Sequence, residues 1–191
     1  MTSRLGFEYL WIDSVCIIQD SEDDWRQEAA QMADVYANAF LTIAATHAKD
    51  GSSGLFSRIP SRFQSALIPT LKETHFRRTW IHPQEADLTY DSTPAKETPL
   101  LTRAWVFQER QLSPRVLYFL SAEVAWECNG AVQCECTPAA LNPQRDNRYT
   151  DWNQVMSAYS SLSLSFQKDK FPAIGGIARA FQGNGRYVAG I

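Results

Sequence analysis

Two acidic residues, Asp13 and Glu109, are the ones in this sequence whose type and spacing could do chemistry. Asp13 interrupts the apolar run at residues 9–18, and Glu109 lies four residues after Trp105 in a second run of large side chains. An ionised carboxylate in such surroundings is costly unless it is hydrogen-bonded or paired. The apolar run around Asp13 therefore makes it a candidate functional residue.

Each carboxylate also has a purely structural interpretation. Glu109 could pair with Arg103 or Arg110 on the surface of its helix, an interaction that typically contributes less than about 1 kcal/mol. Asp13 and Ser14 could instead cap neighbouring backbone groups, with one of the same arginines as the ion partner of Asp13. The sequence pattern leaves both interpretations open.

Cysteine and histidine are the other residue types that could bind a ligand, in this case a metal ion. Three cysteines lie close together in the chain: Cys128, Cys134 and Cys136. A fourth ligand would have to come from one of the three histidines: His47, His75 and His82. Structural zinc sites usually contain two pairs of closely spaced ligands, and this spacing is absent here. We predict free thiols in a turn and no metal site.

Length and composition favour a single globular domain. The chain has 191 residues, of which 45% are hydrophobic, so it can bury a substantial core. Its net charge of −3 gives no electrostatic footprint for a polyanion, so we do not expect nucleic acid as a partner. Apolar runs long enough to span a membrane and a signal-peptide core are both absent from the sequence. We expect a soluble, cytoplasmic protein without a membrane partner.

Hydrophobic periodicity predicts the elements that position the first carboxylate. The apolar run at residues 9–18 is typical of a strand buried on both faces, as in parallel sheets. Ser21 can cap the helix that follows, which should end near residues 38–40. The apolar stripe of this helix contains five residues: Trp25, Ala29, Met32, Tyr36 and Ala39. Residues 41–45 then form a second strand, which would complete a right-handed β-α-β unit.

A second group of elements should position Glu109. Residues 103–112 predict a short helix that ends before Pro114, and a strand pair at residues 115–120 and 123–127 follows. Two helices over residues 152–162 and 170–182 complete the chain, and the second has five apolar residues on one face: Phe171, Ile174, Ile177, Ala178 and Phe181. Residues 49–65 should form an exposed loop, and residues 70–101 should form short strands with a surface insertion. Four tryptophans are expected to be core residues: Trp11, Trp25, Trp105 and Trp126.

Three stretches of the sequence, in this order, resemble the heterokaryon incompatibility (HET) domain family of filamentous fungi. They are Tyr9–Gln19 followed by Glu28, Met32, Tyr36 and Ala39; then Gly54–Phe56; and then Arg103–Leu117 leading to Trp126–Cys128. The resemblance implies a HET domain over residues 1–140 and a C-terminal helical extension over residues 141–191, packed on the same domain. Family members usually begin with a strand and a helix that have no counterpart here. We therefore expect the domain to be incomplete at its N-terminus.

The family is distantly similar to Toll/interleukin-receptor (TIR) domains, which implies a fold and a chemistry. The implied fold is α/β and TIR-like, with a mostly parallel sheet flanked by helices, an added strand pair and C-terminal helices. Some TIR domains hydrolyse NAD through a glutamate four residues after a tryptophan on a helix, the spacing of Trp105 and Glu109. The resemblance thus implies that Glu109 is catalytic with support from Asp13, and that Trp105 and Arg103 bind substrate. NAD would be the substrate, and no cofactor is implied.

The family resemblance also implies a biological role. Family members trigger cell death when self and non-self meet, so we expect a signalling module that associates with itself or with a sensor or allelic incompatibility protein. Two alternatives remain at this stage. The domain could be an NAD-cleaving hydrolase, which is compatible with a role in cell death, or an inactive scaffold or truncated remnant.

Overall fold

The computed structural model describes residues 2–58, 66–67, 75–76, 98–135, 137–141, 149 and 151–182. Five α-helices are present in this part of the chain: α1 (Asp13–Cys16), α2 (Glu22–Asn38), α3 (Ala104–Leu112), α4 (Trp152–Ser160) and α5 (Pro172–Phe181). Seven strands accompany them: β1 (Thr42–Ala44), β2 (Ala66–Leu67), β3 (His75–Phe76), β4 (Arg115–Phe119), β5 (Val124–Cys128), β6 (Ala131–Cys134) and β7 (Thr137–Leu141). Short 3-10 helices lie at Thr2–Leu5, Pro99–Thr102 and Gln167–Asp169.

A five-stranded sheet in the order β1-β4-β5-β6-β7 forms the centre of the fold, and β2 pairs with β3 separately. The α/β class is confirmed. The expectation of a mostly parallel sheet is wrong for the described strands, because only β1 and β4 are parallel while the other neighbours are antiparallel. Strands β4 to β7 follow one another through short turns, which permit antiparallel pairing, whereas a parallel pair needs a long crossover.

The predicted buried strand at residues 9–18 is wrong. In this segment the described structure has extended residues without strand pairing and then the short helix α1, and the side chains of Tyr9 and Val15 are 88% and 78% exposed. A carboxylate oxygen of Asp13 accepts the Ser14 amide at 2.7 Å, and the Ile17 amide bonds the Asp13 carbonyl at 3.0 Å. These local bonds favour a helical turn over a strand, so the predicted β-α-β unit does not form.

The helix after this segment matches its prediction. Helix α2 begins after Ser21, whose hydroxyl oxygen accepts the Asp24 amide at 3.2 Å, and it ends at Asn38. Three acidic residues in its first turn complement the positive end of the helix dipole. Ala29 and Met32 of the predicted stripe are buried. Strand β1 follows at the predicted place, and residues 49–58 form turns and bends with mostly exposed residues.

The main elements predicted for the second half of the chain are confirmed. Helix α3 ends at Leu112, and β4 and β5 form the predicted antiparallel pair. Strands β6 and β7 were not predicted. Helix α5 packs against α2 and α3, and α4 packs against α5. The buried face of α5 includes Ile174 and Ile177, but Phe171 and Phe181, predicted on that face, are exposed. Most of the predicted insertion at residues 70–101 lies outside the described residues.

The tryptophans and cysteines differ from expectation. The four tryptophans predicted as core are only partly buried. Cys128 is a free thiol, as predicted, but Cys134 is disulfide-bonded, so the prediction of free thiols is wrong for it. Cys134 lies opposite Thr137 in the β6–β7 pair, where the chain turns back sharply on itself. His82 and Cys136 lie outside the described residues. Among the residues described, no group of three potential metal ligands occurs, and no helix has the length and apolar character to cross a membrane.

Candidate active site

A cavity of about 500 Å³ opens between the N-terminal segment and the edge of the sheet. Its walls come from residues 9–12, the last turns of α2, strand β1, helix α3 and strand β4. The lining is mainly apolar, with a few polar side chains that include Tyr36, Glu109 and Arg110. A concave apolar space with a few converging polar groups is the usual form of a small-molecule site.

Glu109 is the partly buried carboxyl group in this cavity, where helix α3 holds it next to the end of α2. Burial raises the pKa of Glu109 from its ordinary 4.5 to about 7. The neighbouring Tyr36 hydroxyl lowers this pKa, the negative charge of Asp13 raises it, and the positive charge of Arg103 lowers it. A carboxyl group with a pKa near neutrality is typical of catalytic acids and bases, although structural networks also perturb pKa values.

Tyr36 is a polar contributor to the site that the sequence analysis counted only among the apolar stripe of α2. Burial raises the pKa of its phenol, and the neighbouring Glu109 raises it further, so the hydroxyl stays protonated. The ring of Trp11 packs edge-on against Tyr36 with 5.7 Å between the ring centroids. The available sequence signal was the polar tip of Tyr36 at the end of an otherwise apolar stripe.

Asp13 and Glu109 interact electrostatically, because the charge of Asp13 raises the pKa of both Glu109 and Tyr36. Asp13 is exposed and lies at the start of α1, directly after the cavity-lining residues 9–12. Its carboxylate also accepts the Ser14 amide. Asp13 therefore bonds a neighbouring backbone amide and carries a charge that acts on Glu109.

The two substrate-binding candidates occupy different surroundings. Arg103 is exposed at the N-cap of α3, and its charge lowers the pKa of both Glu109 and Tyr36. Trp105 instead packs with the cluster formed by α4 and α5, and its indole N–H donates to the Asp169 carboxylate at 3.1 Å. Its ring also meets that of Trp25 edge-on at 6.4 Å. The charge of Arg103 therefore acts on Glu109, whereas Trp105 packs against the cluster formed by α4 and α5.

Arg110 has a different carboxylate partner from the one considered in the sequence analysis. Its guanidinium donates to Glu127 on β5 at 3.3 Å, and the Tyr118 hydroxyl donates to the same carboxylate oxygen. The Arg110 side chain is 10% exposed and that of Glu127 is fully buried. Arg110 and Tyr118 also line the cavity, so this buried network forms part of its wall.

The raised pKa of Glu109 predicts a pH-dependent cost to stability. Between pH 4.5 and about 7 the folded chain holds the carboxyl proton more tightly than the unfolded chain, so this stabilising contribution is full below pH 4.5 and is lost as pH rises through about 7. Glutamine has no charge to bury. The difference in unfolding free energy between Glu109→Gln and the parent should therefore shift in favour of the variant by about 2 to 3 kcal/mol from pH 5 to pH 8. Urea unfolding at the two pH values measures this difference. An identical stability difference at the two pH values would contradict this prediction.

One comparison with known proteins, the comparison with protein-family models, gives a match for this chain. A family model described as "Heterokaryon incompatibility protein (HET)" matches residues 1–109. No curated protein and no solved structure matches the chain. The matched region includes α1, α2, β1 and most of α3, and with them Asp13, Tyr36 and Glu109.

Proposed function

The chain belongs to the heterokaryon incompatibility family, and we propose that it is a cytoplasmic cell-death signalling module that acts in self/non-self recognition in a filamentous fungus. The Glu109 carboxyl is the observation that supports a catalytic role. It lines a mainly apolar cavity, and its pKa is raised to about 7. Glu109 is the last residue of the matched region and lies with Tyr36 in the cavity wall. The family region therefore carries the group that would do the chemistry.

Association with copies of itself or with a sensor protein would be the trigger. Several apolar side chains of the N-terminal segment are exposed, and Val15 is 78% exposed on α1. Within the described sheet β1 is an edge strand, because β4 is its neighbour on one side. Exposed apolar groups and an open sheet edge favour pairing with another chain. This surface borders the cavity, so association would also change access to Glu109.

NAD cleavage is the second part of the proposal and the means by which death would be produced. The bond between the ribose C1′ and the nicotinamide nitrogen breaks with its electron pair going to nicotinamide, which leaves as a neutral molecule. The ionised Glu109 carboxylate stabilises the positive charge on the ribose, and water then adds to C1′ and loses a proton to solvent. The products are nicotinamide, ADP-ribose and a proton. Aromatic side chains in the cavity wall, including Trp11, offer surfaces for the nicotinamide ring.

Nicotinamide release from NAD by the purified protein tests this chemistry. We expect Glu109→Gln to reduce the rate about a hundredfold, by analogy with the loss of one transition-state hydrogen bond in an oxyanion hole. The rate of the parent protein should rise with pH through about 7, because Glu109 must be ionised. Glu22→Gln is the matched control, since Glu22 is an exposed helical residue.

Three outcomes separate the proposed roles. Equal rates in Glu109→Gln and the parent would remove Glu109 from the mechanism. No release, even when the protein is forced to oligomerise, would show that the domain acts as a scaffold. Cell death in fungal cells that persists in Glu109→Gln would separate the signalling role from the carboxyl group.

A further inference from the structure

A second cleft, of about 290 Å³, opens between helices α2 and α5, and one residue of α3 contributes to its lining. We propose that this cleft is a binding site for a small apolar molecule that carries a carboxylate and a carbonyl group. No described residue lines both this cleft and the cavity that contains Glu109. The inference is therefore independent of NAD cleavage and goes beyond the proposed function.

Small residues leave the cleft open and make its walls apolar. Three alanines line it from α2: Ala29, Ala30 and Ala33. Gly175 lines it from α5, and a methyl group added there would meet no described atom within 4 Å. Trp25 adds an aromatic surface to the α2 side. Such walls favour a ligand whose body is apolar, because burying its surface removes it from water.

Gln108 is the buried polar side chain in this lining, and it is only 1% exposed. The Gly176 amide donates to its Oε1 atom at 2.7 Å, which fixes the orientation of the side-chain amide. Within the described part of the chain, the Nε2 group of Gln108 has no hydrogen-bond acceptor. A buried donor without an acceptor is costly, so a carbonyl oxygen on a molecule in the cleft would be favoured there.

The charged residues in the described lining are both arginines, Arg26 of α2 and Arg179 of α5. Their acidic partners do not line the cleft: Glu22 and Asp23 pair with Arg26, and Asp34 pairs with Arg179. All of these side chains are more than half exposed, so the ion pairs contribute little to stability. Either guanidinium can therefore exchange its partner for the carboxylate of a ligand.

Phenylpyruvate tests the proposal, because it combines an aromatic ring, a carbonyl and a carboxylate in one small molecule. Its binding is followed by NMR through the amide signal of Gly176, which lines the cleft. We expect a Kd of about 1 mM. Hydrocinnamate lacks the carbonyl and should bind about fivefold more weakly. Phenylacetone lacks the carboxylate and should also bind about fivefold more weakly, without the salt dependence of the other two molecules.

Two substitutions show whether binding occurs in the cleft. Gly175→Leu fills the open space and should abolish the shift of the Gly176 signal. Gln108→Glu keeps an oxygen for the Gly176 amide but replaces the Nε2 donor, so binding should weaken at least about tenfold. The matched control is Gln27→Glu, the same change at an exposed position of α2 outside the lining, which should leave the Kd unchanged.

Three results would overturn the proposal. The first is saturable binding of phenylpyruvate to Gly175→Leu, which would place the molecule elsewhere on the protein. The second is equal affinity for phenylpyruvate, hydrocinnamate and phenylacetone. The third is an unshifted Gly176 signal at phenylpyruvate concentrations up to about 10 mM, which would mean that water alone solvates Gln108. If Gln108→Glu does not fold, Gly175→Leu and the three molecules still decide the question.

Discussion

Replacing Glu127 with glutamine is expected to lower the free energy of unfolding by about 3 to 5 kcal/mol, the range found when one partner of a buried ion pair is removed. The Glu127 side chain is completely buried on β5, and one of its oxygens accepts from both Arg110 and Tyr118. Glutamine has nearly the same shape and can still accept from Tyr118. It cannot compensate the positive charge of Arg110, whose side chain is 10% exposed.

Glu22→Gln is the matched control for the Glu127 variant. Glu22 also forms an ion pair with an arginine, Arg26, at 3.0 Å, but both side chains are more than half exposed. Water and salt screen such a pair, so this substitution should cost less than about 0.5 kcal/mol in urea unfolding at pH 7. A loss below about 1 kcal/mol for Glu127→Gln would mean that the Arg110 charge is solvated by other means.

Gly176→Ala is the second substitution with a large expected effect, a loss of about 1 to 3 kcal/mol in unfolding free energy. Gly176 lies on α5 where this helix meets α2 and α3, and its amide donates to the Gln108 side chain at 2.7 Å. A methyl group there would overlap the side chain of Ala33 and lie 2.7 Å from the Gln108 oxygen. Ala33 has a short, rigid side chain, so the two helices would have to move apart.

The preceding residue provides a control on the same helix. A methyl group added at Gly175 meets no atom within 4 Å among the described residues. Gly175→Ala should therefore stabilise the helix by about 0.5 to 1 kcal/mol, because alanine loses less conformational freedom than glycine on folding. Thermal unfolding of the two variants side by side measures the contrast. Equal effects would mean that α5 is not held as closely against α2 as the structure indicates.

Replacing a glutamate by glutamine is expected to affect stability in opposite directions at the site and in the core. Glu109→Gln is expected to increase stability above neutral pH, whereas Glu127→Gln is expected to decrease it. The difference arises because burial disfavours the charge of Glu109, whereas Arg110 compensates that of Glu127. A charged group kept at a cost to stability is typical of functional sites, where local rules are broken for chemistry.

The sequence by itself determined the elements whose signals are local. The Ser21 cap and the acidic first turn define the start of α2, and Pro114 helps to end α3 before the β4–β5 pair. These signals depend on neighbouring residues, so they can be read along the chain. Glu109 and Asp13 were also identified as candidates from the sequence, although their catalytic roles remain predictions.

Only the tertiary structure decided which partners these residues have. The apolar run at residues 9–18 predicts a buried strand only if a neighbouring strand is available, and in the described sheet β1 pairs with β4 instead. The presence of Tyr36 and Glu109 in one cavity and the ion pair between Arg110 and Glu127 both depend on contacts between distant parts of the chain. Burial and nearby charges set the pKa of Glu109, and both are properties of the folded arrangement that residue spacing does not contain.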